Sequence, residues 1–149
     1  MQLGFVTAIL PDADLEQVFK TAVDIGYDCV EIMCWPVGKA TRRYAGVTHV
    51  DVNALDDAAV SHIADIQQRT GVSISGLGYY PNPLAPDREE SDQAVAQIRS
   101  VIQAASRLGI GTMNTFVGRD WTKNVDDNWP RFLETWKPII DLAEQRDVR

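Results

Sequence analysis

Glu31 is a carboxylate set into the middle of "DCVEIMCWPVG", residues 28–38, where its neighbours from Cys29 to Trp35 are otherwise apolar. An ionised group there loses its water, so some donor must replace it. Two readings follow: Glu31 is a buried acceptor held by a neighbouring strand, or a group turned toward a substrate. Trp35, at the exit of the same run, could wall the same pocket. The stretch from Pro36 to Asp56 is long for a connection and gathers Lys39, Arg42, Arg43, Tyr44 and His49. Cations so close together could clamp a phosphate or carboxylate, against the plainer reading of a solvated loop. His49 is either a loop hydrogen-bonding residue or a proton-handling group. His62, amid Asp65 and Arg69 on a polar helix side, reads as solvated. Further along, Tyr79, Tyr80 and Asn82 precede the turn-rich "PNPLAPD". Their rings could stack on a ligand or pack on the next loop, and the amide can both donate and accept. Asn114 interrupts the apolar "IGTMNTFVG" with Phe116 on the same face. If that face meets a cavity the pair lines it; if it meets helices, Asn114 needs a buried partner.

Elements of fixed period must position these residues. Side chains alternate along a strand, so Val30, Ile32 and Cys34 share one face and Glu31, Met33 and Trp35 the other. A first strand lies near residues 2 to 9. Asp14 with Gln17 three residues on forms a capping box, and Leu15, Val18, Phe19, Ala22 and Ile25 keep helical spacing up to Gly26. A second helix spans about Asp56 to Thr70 with Gly71 as its stop. "VSISGLGYY" reads as a third strand. Apolar positions from Ala94 to Leu108 mark a helix over Ser91 to Leu108, and "IGTMNTFVG" a fourth strand. The last helix is expected to begin at Asn128 with Pro130 in its first turn and a kink at Pro138.

Strand and helix thus alternate four times, which calls for a parallel sheet with right-handed crossovers. The junction recurs in "IGYDCVEI", "RTGVSISG", "RLGIGTMN" and "EQRDVR", so Val148 falls where a fifth strand would begin. The expectation is one domain over residues 1–149, a (βα)4 half of an eight-unit barrel that stops at strand five.

Charge narrows the partners. With 21 acidic against 14 basic residues the net charge is -7, which opposes nucleic acid and anionic membranes and favours a small molecule or a protein. "MQLGFVTAIL" lacks a basic leader region and is too short to span a bilayer, so it reads as strand and the expected location is cytoplasmic. Cys29 and Cys34, about 16 Å apart if extended, are beyond disulfide reach.

"GYDCVEIMCWP", "GLGYYPNPL", "LGIGTMNTFVG" and "FLETWKPIIDLAEQRDV" resemble the sugar phosphate isomerase/epimerase family, with its xylose-isomerase-like TIM barrel. The likeness covers the N-terminal half of such a protein. It implies an active site at the C-terminal strand ends, where a divalent metal (Mn, Mg, Co or Zn) orients a sugar or sugar phosphate and two carboxylates move protons. In that family the metal ligands come from strands five to eight, so the resemblance implies no metal and no catalytic residue in this chain. Glu31, Trp35, Lys39, Arg42, His49, Tyr79, Asn82, Asn114 and Phe116 would then be substrate-binding walls.

Other classes fit less well. A receiver domain wants acidic residues ending strands one and three, and strand three ends in tyrosines. A Rossmann-type nucleotide binder wants glycines between its first strand and helix, and "AILPDADLEQ" has none. A DNA-repair endonuclease on the same barrel would want more histidines and a basic groove. The surviving rival is a non-catalytic half-barrel or scaffold. Either way, two open sheet edges and an apolar inner face predict a homo-oligomer or a missing C-terminal half as partner.

Overall fold

A computed structural model describes residues 1–38 and 45–149. In chain order these form β1 (Gly4–Val6), a 3-10 turn (Thr7–Ile9), α1 (Leu15–Ile25), β2 (Cys29–Met33), α2 (Asp57–Thr70), β3 (Ser73–Gly78), α3 (Arg88–Arg107), β4 (Met113–Asn114) and α4 (Val125–Gln145). The strands make one parallel sheet in the order β1-β2-β3-β4. When every right-handed crossover steps the same way, every helix lands on the same face. A doubly wound sheet needs the order to reverse, and here it does not. The architecture is that of half a TIM barrel.

Residue parity decides what each face carries. Val30, Ile32, Cys34, Ile74, Leu77 and Tyr79 are buried in one core with Val18, Phe19 and Ala22 of α1, Ile63 and Ile66 of α2, and Trp136 and Ile139 of α4. The opposite face of β2 carries Glu31 and Met33. Pairing of β2 with β3 slips by one residue at Val30/Glu31, setting Glu31 opposite Gly76 and Met33 opposite Gly78. A bulge there re-aims the side chains that follow it.

Helix ends follow their caps. The Asp14–Gln17 capping box forms as expected, and Gly26 and Gly71 close α1 and α2 with positive φ, +89° and +71°, where a side chain is strained. Asp87 caps α3 through Glu90 N–H, so that helix starts at Arg88, earlier than the apolar spacing predicted. The larger correction concerns α4. Asn124 caps it through Asp127 N–H, with Asp126 and Asp127 favourably placed in its first turn. Asn128 is therefore inside the helix and buried, where it tethers the preceding loop through Asp120. Pro130 and Pro138 both lie within α4, so Pro130 is not a first-turn proline.

The fourth strand is also shorter than "IGTMNTFVG". Only Met113 and Asn114 pair with β3. On the other edge of β4, Met113 N–H donates to Arg149 C=O at 2.7 Å and Arg149 N–H to Gly111 C=O at 3.0 Å. Arg149 thus bonds to the outer edge of β4 in the parallel pattern, beside the buried Val148.

Candidate functional site

Two groupings of chemically capable residues lie at the C-terminal ends of the strands. The first is on the helix-free face. Glu31 Oε1 accepts from the Tyr80 hydroxyl, and Oε2 accepts from Asn114 Nδ2 at 2.9 Å. Tyr80 follows β3 and Asn114 ends β4, so the carboxylate of β2 reaches across β3 to its second partner. The crossing is open because β3 presents only glycine there. A Cβ on Gly78 would lie 2.1 Å from Met33 Cε and 2.5 Å from Glu31 Oε1, and one on Gly76 would lie 3.1 Å from Asn114 Nδ2. Tyr80 also packs on Phe116, ring centroids 4.9 Å apart, and Phe116 is itself 60% exposed. Burial first, then the hydrogen bond and charge of Glu31, push the Tyr80 phenol well above its ordinary value. Tyr80 therefore stays a neutral donor and Glu31 a held acceptor.

Asn114 thus faces Glu31 rather than the helices, settling the alternative that parity left open. Tyr80 is the residue that sequence reasoning undervalued. Gly76, Gly78 and Tyr80 alternate, and that pattern places Tyr80 on the face the glycines keep clear.

The second grouping is a cleft of about 470 Å³ at the rim, lined by Trp35, Tyr79, Glu90, Gln93 and Trp121 among others. Trp35 meets Tyr79 edge-on at 4.9 Å, so it belongs here more than beside Glu31, although it also touches the small cluster around Met33. Tyr79 is on the helix-side parity and only 5% exposed. Its phenol is pushed up to about 12, chiefly by burial and then by the nearby charge of Glu90. Glu90, Gln93 and Trp121 carried no signal that strand reading could find, because they come from α3 and from the loop before α4.

Asn82, expected to serve a ligand, is committed elsewhere. Its Nδ2 donates to Arg119 C=O at 2.8 Å, while Oδ1 accepts from Arg119 N–H and Leu84 N–H. It clasps the loop after β3 to the loop after β4, and Gly118 is needed beside it because a Cβ there would lie 2.2 Å from Asn82 Oδ1.

His49 is likewise fully engaged. Its Nε2 donates to Leu10 C=O at 3.1 Å, which makes Nδ1 the acceptor for the Thr7 hydroxyl at 2.9 Å; that hydroxyl accepts from Met33 N–H. His49 N–H also donates to Met33 C=O, so the residue sits beside the end of β2 although the sequence placed it in a remote loop. Burial holds its ring below the usual histidine value, outweighing opposing contributions from the Leu10 and Ala13 carbonyls and Asp14. Lys39, Arg42, Arg43 and Tyr44 lie outside the described residues.

The donor set does not suit a metal. Among the described residues no three His, Cys, Asp or Glu side chains converge, and the carboxylate on the helix-free face has both oxygens hydrogen-bonded. No step of chemistry is routed through a metal held by these residues.

A one-sided parallel sheet with polar groups gathered at its strand ends defines half of a TIM barrel. The chain belongs to the xylose isomerase-like TIM barrel family, whose model matches residues 19–149. No curated protein matches the sequence. Among solved structures, D-psicose 3-epimerase in the presence of D-fructose is similar with a TM-score of 0.70 at 17% identity, over 100% of this chain and 50% of that one. The IolI protein with a bound zinc atom gives 0.67 at 17%, over 100% and 50%. A xylose isomerase-like TIM barrel protein from Mycobacterium smegmatis in complex with magnesium gives 0.67 at 13%, over 99% and 53%. The chain spans about half the length of the structures it resembles, and at these identities the likeness shows the fold.

Proposed function

We propose that residues 1–149 form a single half-barrel unit, the N-terminal half of a metal-dependent isomerase or epimerase acting on a sugar or sugar phosphate. The observation that carries this reading is the Glu31, Tyr80 and Asn114 bridge over the glycines of β3, on the face that a closed barrel turns inward. Such a bridge presents Tyr80 and Phe116 as a fixed wall and leaves a substrate hydroxyl a polar floor. The family reading, with the zinc and the magnesium bound in two similar structures, supports a divalent ion held by residues outside this set. The two free cysteines, both buried, suit a cytoplasmic location. No helix among the described residues is long and apolar enough to cross a membrane.

The test is complementation. The purified chain with added Mn²⁺ is expected to give no ketose epimerisation, and the same chain joined to a C-terminal half from a family member is expected to give turnover that Glu31→Gln and Asn114→Leu reduce. Turnover by the isolated chain, or a joined protein indifferent to both substitutions, overturns the reading.

A second reading, a non-catalytic half-barrel that self-associates, is favoured by one observation. Val125, Trp129, Leu133 and Ile140 are each about half exposed or more and share one stripe of α4. Light scattering behind size exclusion is expected to show a dimer that Trp129→Glu weakens. A monomer that persists at high concentration counts against it.

A further inference from the structure

A slot of about 380 Å³ opens between the loop after β3, the loop after β4 and the first turns of α4. Its walls are mostly apolar, with Leu84, Val117, Val125, Trp129 and Phe132 among them. None of its lining residues belongs to the Glu31 bridge or to the rim cleft. Val117, Val125 and Trp129 are each more than half exposed. The slot therefore holds apolar surface in water, and an apolar occupant relieves that cost.

The walls are fixed before anything enters. Trp136 Nε1 donates to Val117 C=O at 3.0 Å, and Asn82 holds both the N–H and the C=O of Arg119. The buried Asn128 accepts from Asp120 N–H and donates to the carbonyls of Asp120 and Asn124. Trp129 meets Phe132 edge-on, ring centroids 5.2 Å apart. A cavity with ordered walls loses little freedom on binding, and this one has the size of a small-molecule site.

Charge says which small molecule. Arg119 is the one ionisable side chain among the described residues that line the slot. Asn82 engages only its main chain, and its guanidinium pairs with no carboxylate among the described residues. Residues 39–44, Lys-Ala-Thr-Arg-Arg-Tyr, carry no carboxylate either, so no such partner comes from that segment. Asp126 and Asp127 stand in the first turn of α4 but do not line the slot. An occupant thus meets an apolar wall and a single cation, which favours an apolar body with one anionic end.

We infer that the slot binds an amphiphilic monocarboxylate, a straight-chain fatty acid whose tail lies against Val125, Trp129 and Phe132 and whose carboxylate pairs with Arg119. A guanidinium offers two parallel N–H donors to the two oxygens of such a group. The inference rests on neither reading of the function. A second copy seated on Val125 and Trp129 would close the slot, so the experiment must tell the two occupants apart.

The experiment is an NMR titration of the ¹⁵N-labelled chain, following its four tryptophan indole signals, Trp35, Trp121, Trp129 and Trp136, at two protein concentrations. The probes are octanoate, octanol as its neutral counterpart, octylammonium as its opposite charge, and acetate as the carboxylate without a tail. Octanoate is expected to move Trp129 saturably and to leave Trp35 still. Octanol is expected to bind about tenfold more weakly, octylammonium more weakly again, and acetate to leave all four signals in place. Arg119→Gln keeps the Asn82 clasp, since those bonds are main-chain, and is expected to bring octanoate down to the affinity of octanol while leaving octanol unchanged. Trp129→Ala is expected to weaken octanoate and octanol alike. A Trp129 signal that octanoate does not move overturns the proposal, as does equal affinity for octanoate and octanol, or a preference for octanoate that survives Arg119→Gln. A Trp129 signal that shifts with protein concentration and not with octanoate overturns it in favour of a second copy.

Discussion

The helix-free face and the rim cleft hold similar residues in opposite conditions. In the first, Glu31, Tyr80 and Asn114 satisfy one another, and the glycines of β3 exist to let them meet. In the second, Trp35 Nε1 is buried without a partner among the described residues and Trp121 stands 57% exposed. A closed network resists change and fixes shape, whereas an open one has capacity left for a ligand. Residue type does not separate the two conditions; only the presence or absence of a partner does.

The contrast predicts where substitutions cost stability, and the largest cost falls on the closed region. Gly78→Val drives a side chain into Met33 Cε and Glu31, and it is expected to remove about 3 kcal/mol of stability, read from urea denaturation midpoints. An unchanged midpoint would mean that the bridge is loosely held. Next comes the clasp between the loops. Asn82→Ala leaves Arg119 N–H, Arg119 C=O and Leu84 N–H without their partner, for an expected loss of about 2 kcal/mol in the same measurement.

The third effect depends on pH. Burial keeps the His49 ring below 6.5, so unfolding takes up a proton as pH falls beneath that value. Its contribution is whole above 6.5 and declines as pH drops through the folded value, because the unfolded chain then binds more protons. Denaturation between about pH 7.5 and pH 5 is expected to show this slope, and His49→Gln to flatten it. Smallest of all is the rim. Trp121→Ala is expected to shift stability by no more than about 0.5 kcal/mol, since the ring is 57% exposed. A large loss would make Trp121 a packing residue and erase the distinction between the two regions.

Periodicity made the fold legible. The Asp14 box, the Gly26 and Gly71 stops and the parity of Val30, Ile32 and Cys34 are all local, and each forms as its spacing requires. The start of α4 was less legible because two signals competed. Pro130 suggested a first turn at Asn128, but Asn124 followed by two aspartates caps and charges an earlier one. The candidate site was legible by type and not by partner. Glu31 and Asn114 were both singled out, yet the hydrogen bond joining them spans three strands, and no local pattern encodes it. The engagement of Asn82 and His49 was illegible for the same reason, since their partners at Arg119 and Thr7 are remote in sequence.

The strand order also bears on how the sheet is assembled in time. Each strand pairs only with its neighbours in sequence, Gly4 with Cys29, Glu31 with Gly76 and Gly78 with Asn114, so every rung closes a single βα unit. Each closure spans one unit rather than the whole chain, which keeps its entropic cost down. The Glu31 to Asn114 bond cannot form until two such units are in register. It depends on both pairings at once, and native-state hydrogen exchange is expected to find the end of β4 opening before the β2–β3 ladder does.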